Sequence, residues 1–252
     1  MSTKIIKNNA SIDQNFFQSQ GDMLNFMSHE LRTPLNAILG YAELIAKEVH
    51  GPIQPTIYKE YIEAIKIGGD HLLALVNDIL DYSKLHAGKM TLYEQQIDLS
   101  CLLSSCVKLF NALAKNKDIT ISLELEEKMP LFFADERIIN QIIMNLLSNA
   151  IKYTPPKGFV QLSASMIDGK IVINIEDSGI GMNPQELKLA LEPFGQINIL
   201  ENQDIKGTGL GLPLVKALTE LHEGALEVES QENVGTKFTL IFPTHRTINI
   251  II

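Results

Sequence analysis

The chain has 252 residues, 45% of them hydrophobic and 20% charged, with a formal net charge of −9 and a mean hydropathy of +0.08. That length holds one or two domains, the apolar fraction is that of a globular protein, and the acidic balance argues against a broad basic face for nucleic acid. No apolar run approaches the roughly 20 residues needed to cross a bilayer, and the N-terminal MSTKIIKNNASIDQN lacks the apolar core of a secretory signal. Cys101 and Cys106 sit in an apolar helical pattern and match no metal or disulfide framework, so both are expected to be reduced, buried and structural. The expectation is a cytoplasmic chain of two domains.

The first part reads as entirely helical. Leu24, Met27, Leu31, Leu35, Ile38, Ala42 and Ile45 recur at steps of 3 or 4, a heptad-like stripe. Two prolines and a glycine in His50-Gly51-Pro52-Ile53-Gln54-Pro55 stop that helix. A second stripe follows at Ile62, Ile65, Gly69, Leu72, Val76, Ile79 and Ser83. Two such helices form a hairpin whose seam stays largely in water unless a second copy completes a four-helix bundle. Residues 15–87 are therefore expected to form a homodimer; packing of the hairpin on its own second domain is the alternative. Residues 1–14 read as a linker.

From residue 88 the pattern changes. Alternation at Met90-Thr91-Leu92-Tyr93 precedes a helix over 99–116, and Ile119–Leu125 alternates as a strand. Asp135 is placed to cap a helix over 136–153 that Thr154-Pro155-Pro156 ends. Phe159–Met166 and Lys170–Glu176 form a hairpin turning at Asp168-Gly169. A helix from Pro184, a glycine-punctuated loop, a helix over 209–222 and strands at 225–230 and 236–242 complete the domain, 88–243. Strands and helices mix without strict alternation, which predicts an α+β sandwich. Residues 244–252 are left as a packed or disordered tail.

His29 lies about 160° from the Leu24/Leu31/Ile38 line at 100° per residue, so the stripe places it on the solvent side. Its surroundings are Ser28-His29-Glu30-Leu31-Arg32-Thr33-Pro34. Pro34 costs the helix a hydrogen bond, and the carbonyl left without its partner belongs to Glu30. An exposed imidazole beside a carboxylate suits a nucleophile, because the carboxylate can hold one ring nitrogen and free the other to attack. A solvated surface histidine is the plainer reading of that neighbourhood alone. His50, His71, His86, His222 and His245 show no comparable arrangement.

Three segments further on look like one site. In Asn145–Tyr153, Asn145, Asn149 and Lys152 share a helix side, and two neutral oxygen donors with one cation suit a magnesium–phosphate unit. An exposed polar helix face would look the same. Glu176-Asp177-Ser178-Gly179-Ile180-Gly181-Met182 is a strand end and a two-glycine turn; Asp177 can accept from an exocyclic amine and the glycines admit close approach, although a plain turn fits equally. Gly207-Thr208-Gly209-Leu210-Gly211-Leu212 opens a helix whose free N–H groups attract phosphate, and it matches neither the Walker loop nor the dinucleotide fingerprint. The polar stretch from Phe194 through Lys206 reads as a lid.

On these residues the chain resembles the catalytic core of a two-component sensor histidine kinase: a HisKA-type dimerisation domain followed by a GHKL (Bergerat) ATP-binding domain. Ser28–Pro34 resembles the H box, Asn145–Tyr153 the N box, Asp177–Gly181 the G1 box, Glu192-Pro193-Phe194-Gly195 the F box, Gly207–Leu212 the G2 box, and Gly235-Thr236-Lys237-Phe238-Thr239 the closing G3 strand. The resemblance implies that His29 accepts the phosphoryl group with Glu30 as general base. It implies that Asn149 is the principal Mg2+ ligand with Asn145 beside it, that Lys152 touches phosphate, and that Tyr153 meets the sugar or base. It further implies that Asp177 reads the adenine amino group with support from Thr236, and that Gly207, Gly209 and Gly211, with Thr208, Leu210 and Leu212, line the phosphates. Thr33 stands where such kinases orient water to dephosphorylate their partner.

The implied cofactors are ATP and Mg2+, and the implied partner is a response-regulator receiver domain with its aspartate. Two positions depart from the pattern. Lys206 stands where members vary, and Glu223 of His222-Glu223-Gly224 replaces a frequent glycine. No receiver follows residue 243 and no sensor precedes residue 15, which suggests a core cut from a larger receptor, its parent anchored in the bacterial inner membrane, or an unusually short soluble kinase. A hinge at Ala87–Lys89 would let the second domain reach His29. A GHKL ATPase without phosphorelay and a non-catalytic signalling scaffold are the rival readings.

Overall fold

The computed structural model describes residues 35–36, 38–49, 51–53, 57–195 and 209–248. The chain divides into two compact units, Met1–Met90 and Thr91–Ile252. In the first, α1 (described residues 35–36 and 38–46) leads through a turn to the 30-residue α2 (Ile57–His86). Lys59 on α2 pairs with Glu48 of the turn at 2.7 Å. The heptad stripe splits into two lines. Leu35 and Ala42 on α1, and Ile62, Gly69, Val76 and Ser83 on α2, each line stepping by seven, are buried within a single chain. The companion positions Ile38, Ile45, Ile65 and Leu72 remain 49–52% exposed.

Gly69 of α2 lies close to the Leu39 side chain of α1. A Cβ there would lie 2.5 Å from Leu39 Cδ2, so a side chain at this position would require Leu39 to move. After His86, Gly88 takes φ +64. Its N–H donates to Leu85 O at 3.0 Å and that of Lys89 to Lys84 O at 2.9 Å. This Schellman arrangement satisfies the last carbonyls and ends α2.

The second unit is a two-layer sandwich. In order it runs β1 (Gln95–Ile97), α3 (Leu99–Asn116), β2 (Thr120–Leu125), β3 (Leu131–Ala134), α4 (Glu136–Tyr153), β4 (Phe159–Ile167), β5 (Lys170–Asp177), α5 (Pro184–Ala190), α6 (Gly211–Leu221), β6 (Ala225–Gln231), β7 (Gly235–Phe242), a 3-10 turn (Thr244–Arg246) and β8 (Thr247–Ile248). The main sheet has the order β2-β4-β5-β7-β6, and a small sheet the order β1-β3-β8. Among the described residues, the β2–β4 pair alone is parallel. The α+β sandwich predicted from the mixed pattern is the architecture found.

Because side chains alternate across a sheet, Ile173, Ile175, Phe238 and Leu240 face the helices, while Ser163, Asn174, Glu176, Lys237 and Thr239 occupy the opposite face. α4 packs on β4 and β5, α6 on β6, and α4 touches both α3 and α6. Its buried line, Ile138, Ile139, Ile142, Ile143, Leu146, Leu147, Ala150 and Ile151, follows the 3–4 spacing of one helix face.

Asp135 caps α4 by accepting from Arg137 N. Burial works against its charge, but hydrogen bonds from the Arg137 side chain and from Tyr93 N outweigh that and hold the carboxyl below its ordinary value. The Asp135 N–H donates to Nε2 of the fully buried His222 at 3.2 Å, and Nδ1 of that ring lies 3.0 Å from Leu218 O. Those partners fix the neutral Nδ1–H tautomer, and burial lowers the ring's pKa.

Several expectations are corrected. Strand pairing begins at Gln95, after the alternating Met90–Tyr93 run, where β1 meets β3. β3 is a four-residue strand that no pattern in the sequence marks. Cys106 is buried with Sγ 3.3 Å from Asn140 Oδ1, whereas Cys101 is exposed. The buried face of α3 runs Leu99, Leu102, Leu103, Cys106, Phe110 and Ala114, which leaves Cys101 on the other side. Of the tail expected to be packed or disordered, residues 244–248 take the packed alternative, as a 3-10 turn and a strand paired with β3. Arg246, 4% exposed, donates to Glu94 Oε1 at 2.6 Å and to Phe133 O at 3.0 Å.

Candidate functional site

The C-terminal half of α4, the end of β5 and the start of α6 meet at one end of the sandwich. Asp177 closes β5 and is 6% exposed. Its Oδ1 accepts from Gly179 N at 2.8 Å and from Thr236 N at 3.3 Å. Both bonds use the same oxygen, which leaves Oδ2 to meet a ligand's donor. Burial pushes the carboxyl up to about 6, against the two backbone donors and with a smaller push from Glu176. At neutral pH it is still an ionised acceptor.

The glycines follow from geometry. A Cβ on Gly179 would meet Asp177 Oδ1 at 2.6 Å and Tyr153 O at 2.8 Å. Gly181 has φ +62, and its Cβ would fall 1.8 Å from Gln231 O, so no other residue fits without moving the β6 end. The loop is tied to α4 by Ile180 N donating to Tyr153 O at 3.2 Å and to the β6–β7 turn by Asn233 N donating to Ile180 O at 2.7 Å.

On α4, Asn145, Asn149, Lys152 and Tyr153 are all partly exposed. The buried Asn145 Nδ2 has no hydrogen-bond partner. Burial, and then the neighbouring charge of Lys117, lowers the pKa of Lys152, whose Nζ lies 5.2 Å from the Tyr153 ring centroid. A Cβ on Gly211 would stand 4.0 Å from Asn149 Nδ2, so the start of α6 lies against the asparagine row. Phe194 N donates to Gly209 O at 2.9 Å, joining the F-box and G2 segments.

Leu212 is partly exposed, whereas the Leu210 side chain is fully buried, so only its backbone can face a ligand. His29, Glu30 and Thr33, and likewise Lys206, Gly207 and Thr208 with most of the predicted lid, lie outside the described residues. Among the described residues no group of three His, Cys, Asp or Glu stands ready for a metal. A divalent ion here would rely on amide oxygens and phosphate, a donor set suited to Mg2+. An open cleft of about 460 Å3 at the N-terminal end of α4, lined by Tyr93, Asp135 and Arg137 among others, contains none of the predicted residues.

The sequence reading missed Ser178 and Ser230. Ser178 Oγ accepts from Phe159 N at 2.8 Å and fixes the turn after Asp177. Ser230 Oγ accepts from Met182 N at 2.9 Å and lies 2.8 Å from Thr236 Oγ1. A serine in an alternating strand carries no signal alone; the register of β6 on β7 would have revealed it.

Residues 19–88 match the His Kinase A (phospho-acceptor) domain, and residues 134–246 match the histidine kinase-, DNA gyrase B- and HSP90-like ATPases. The chain is similar to the cell-division control histidine kinase PdhS of Brucella abortus (strain 2308) and of Brucella suis biovar 1, at 39% identity over 236 residues. That match covers 90% of this chain and 23% of each relative, so the chain spans about a quarter of their length. Among solved structures it is similar to full-length ShkA in complex with AMPPNP, with a TM-score of 0.76 and 33% identity over 91% of this chain and 47% of that one. The Acinetobacter baumannii histidine kinase AdeS shares the fold, with a TM-score of 0.59 at 22% identity over 86% of this chain and 98% of that one.

Proposed function

The chain belongs to the sensor histidine kinases, as a catalytic core, and from that premise we propose that it transfers the γ-phosphoryl group of ATP to His29 and then to an aspartate on a response-regulator receiver. The observation that carries this reading is Asp177, buried and oriented through Oδ1 with Oδ2 open, at the mouth of a glycine-lined cradle. An acceptor so held suits the exocyclic amine of adenine.

The remaining roles follow from the family resemblance. The Gly179 and Gly181 backbone lets the base approach, and Tyr153 flanks it. Lys152 compensates phosphate charge, and the backbone N–H groups of the Gly207–Leu212 motif donate to phosphate oxygens. Asn149 and Asn145 would hold Mg2+, which when bound neutralises phosphate charge. His29 attacks the γ-phosphorus through one ring nitrogen as the bond to the ADP oxygen breaks, and Glu30 takes the proton of the other nitrogen. Catalysis is then mainly positioning and charge compensation. Thr33 would orient water for the reverse duty, dephosphorylation of the receiver.

The homodimer is proposed on the line Ile38, Ile45, Ile65 and Leu72, half-exposed in a single chain and continuous with the buried line. Among the described residues no helix is long and apolar enough to cross a membrane. We place the reaction in the cytoplasm, with any anchoring in the inner membrane left to a sensor region of the parent.

The test is incubation with γ-labelled ATP and Mg2+ followed by assay of the protein for acid-labile, base-stable label. Label is expected. ATP turnover without it favours the GHKL ATPase reading, and no nucleotide chemistry at all favours a scaffold.

A further inference from the structure

The strand register puts four side chains in one row across the main sheet. Val160 pairs with Asp177, Asp177 with Thr236, and Thr236 with Ser230, all on the helix-facing side. The row therefore continues one strand past the two residues assigned to the base, and it ends in a hydroxyl.

The hydrogen bonds of that hydroxyl can be counted. Ser230 Oγ accepts from Met182 N at 2.9 Å, lies 3.2 Å from Gly235 O, and lies 2.8 Å from Thr236 Oγ1. Serine has one proton. If it goes to Gly235 O, then Thr236 must donate its own proton to Ser230, and all three of those groups are satisfied. If it goes instead to Thr236, the Gly235 carbonyl loses this donor. The first arrangement leaves fewer polar groups unpaired in a part-buried place, so it is the favoured one. Thr236 then has no proton to offer a ligand. Beside the ionised Asp177 it presents a second acceptor, and two acceptors suit the N–H groups of a 6-amino purine while opposing the carbonyl of a 6-oxo purine.

We propose that Ser230 is a positioning residue for purine discrimination: by taking the Thr236 proton it makes Thr236 an acceptor toward the base, and so favours ATP over inosine triphosphate. This rests on the reading that adenine lies against Asp177. Met182 N, held by the same oxygen, ties the discrimination to the placement of the turn after Asp177.

The experiment is equilibrium displacement of a fluorescent trinitrophenyl-ATP from the full chain, with Mg2+ at pH 7.5, by ATP and by inosine triphosphate. Ser230→Ala is expected to narrow the ATP-over-inosine ratio by about tenfold, the size of one hydrogen bond. Ser230→Thr, which keeps the hydroxyl, is expected to hold the ratio within about twofold. Thr236→Val should narrow the ratio likewise, with Ser230→Ala adding nothing further to it.

A folded Ser230→Ala that keeps the wild-type ratio overturns the proposal, and so does full additivity of the two changes. Should Ser230→Ala not fold, Thr236→Val decides alone, and an unchanged ratio there is the contrary result. Asp177→Asn separates the two levels. If it binds ATP as the wild type does, the adenine reading itself fails; if it loses ATP while Ser230→Ala keeps the ratio, only the role of Ser230 falls.

Discussion

The two units bury their apolar residues by different rules. In the helical unit the seven-residue line through Ile62, Gly69 and Val76 is buried within one chain, while Ile38, Ile65 and Leu72, three or four residues away, remain half in water. In the sheet unit Ile142, Leu146, Leu147, Ile173, Leu214 and Leu240 are all fully buried without a second chain. The sheet unit closes its own core, whereas the helical unit keeps a half-exposed apolar line. In the proposed reaction the first unit carries the phosphoryl acceptor and the second the nucleotide.

Leu146→Ala in the closed core should cost about 2–5 kcal/mol, lowering the melting temperature of the sheet unit and its nucleotide affinity while the dimer persists in sedimentation. A loss of dimer in that variant would mean the units are not separable. A smaller shift is expected from Asp177→Asn. The folded carboxyl sits at about 6 against an ordinary 3.8, so the wild type holds this stability in full below pH 4 and loses it as pH rises through 6. The loss at pH 7.5 is at most about 3 kcal/mol at 1.36 kcal/mol per unit. The neutral amide should therefore melt higher than wild type at pH 7.5 and lose that advantage at pH 4, while binding ATP more weakly. A flat difference between the two pH values would contradict the burial of that charge.

Leu72→Glu, on the half-exposed line, should convert the dimer to monomer in sedimentation equilibrium with nucleotide affinity unchanged. An intact dimer would move the interface elsewhere. The smallest effect belongs to Glu223, which holds φ +56 where the family often has glycine, with its carboxylate 3.4 Å from Arg246 Nη2. Glu223→Gly relieves the left-handed strain of roughly 1 kcal/mol and gives up an ion pair of similar size. Its melting temperature should stay within a few degrees of wild type.

Much of the second unit was legible because its signals are local. Asp135 before the apolar run of α4, Thr154-Pro155-Pro156 after it, and Asp168-Gly169 between β4 and β5 each mark a boundary by their own backbone chemistry. The misses are where neighbours supplied the information. Leu131–Ala134 is too short to show a period and becomes a strand through β1 and β8 on either side. His222 offered nothing to reason from until Asp135, distant in sequence, met its ring. Within the candidate site, Asp177 and the glycines were readable as a motif, whereas Ser230 is defined only by cross-strand register. The helical stripe is legible in sequence, but its division into a buried and an exposed line over the described residues depends on how the two helices pack.

Of six histidines, His29 is the proposed phosphoryl acceptor, and the modified residue can be mapped. After reaction with ATP and Mg2+, peptide mass spectrometry under conditions that preserve phosphohistidine is expected to find the group on His29 alone, with none in His29→Ala despite unchanged ATP binding. Phosphate on His50, His71, His86, His222 or His245, or label surviving in His29→Ala, would contradict the account.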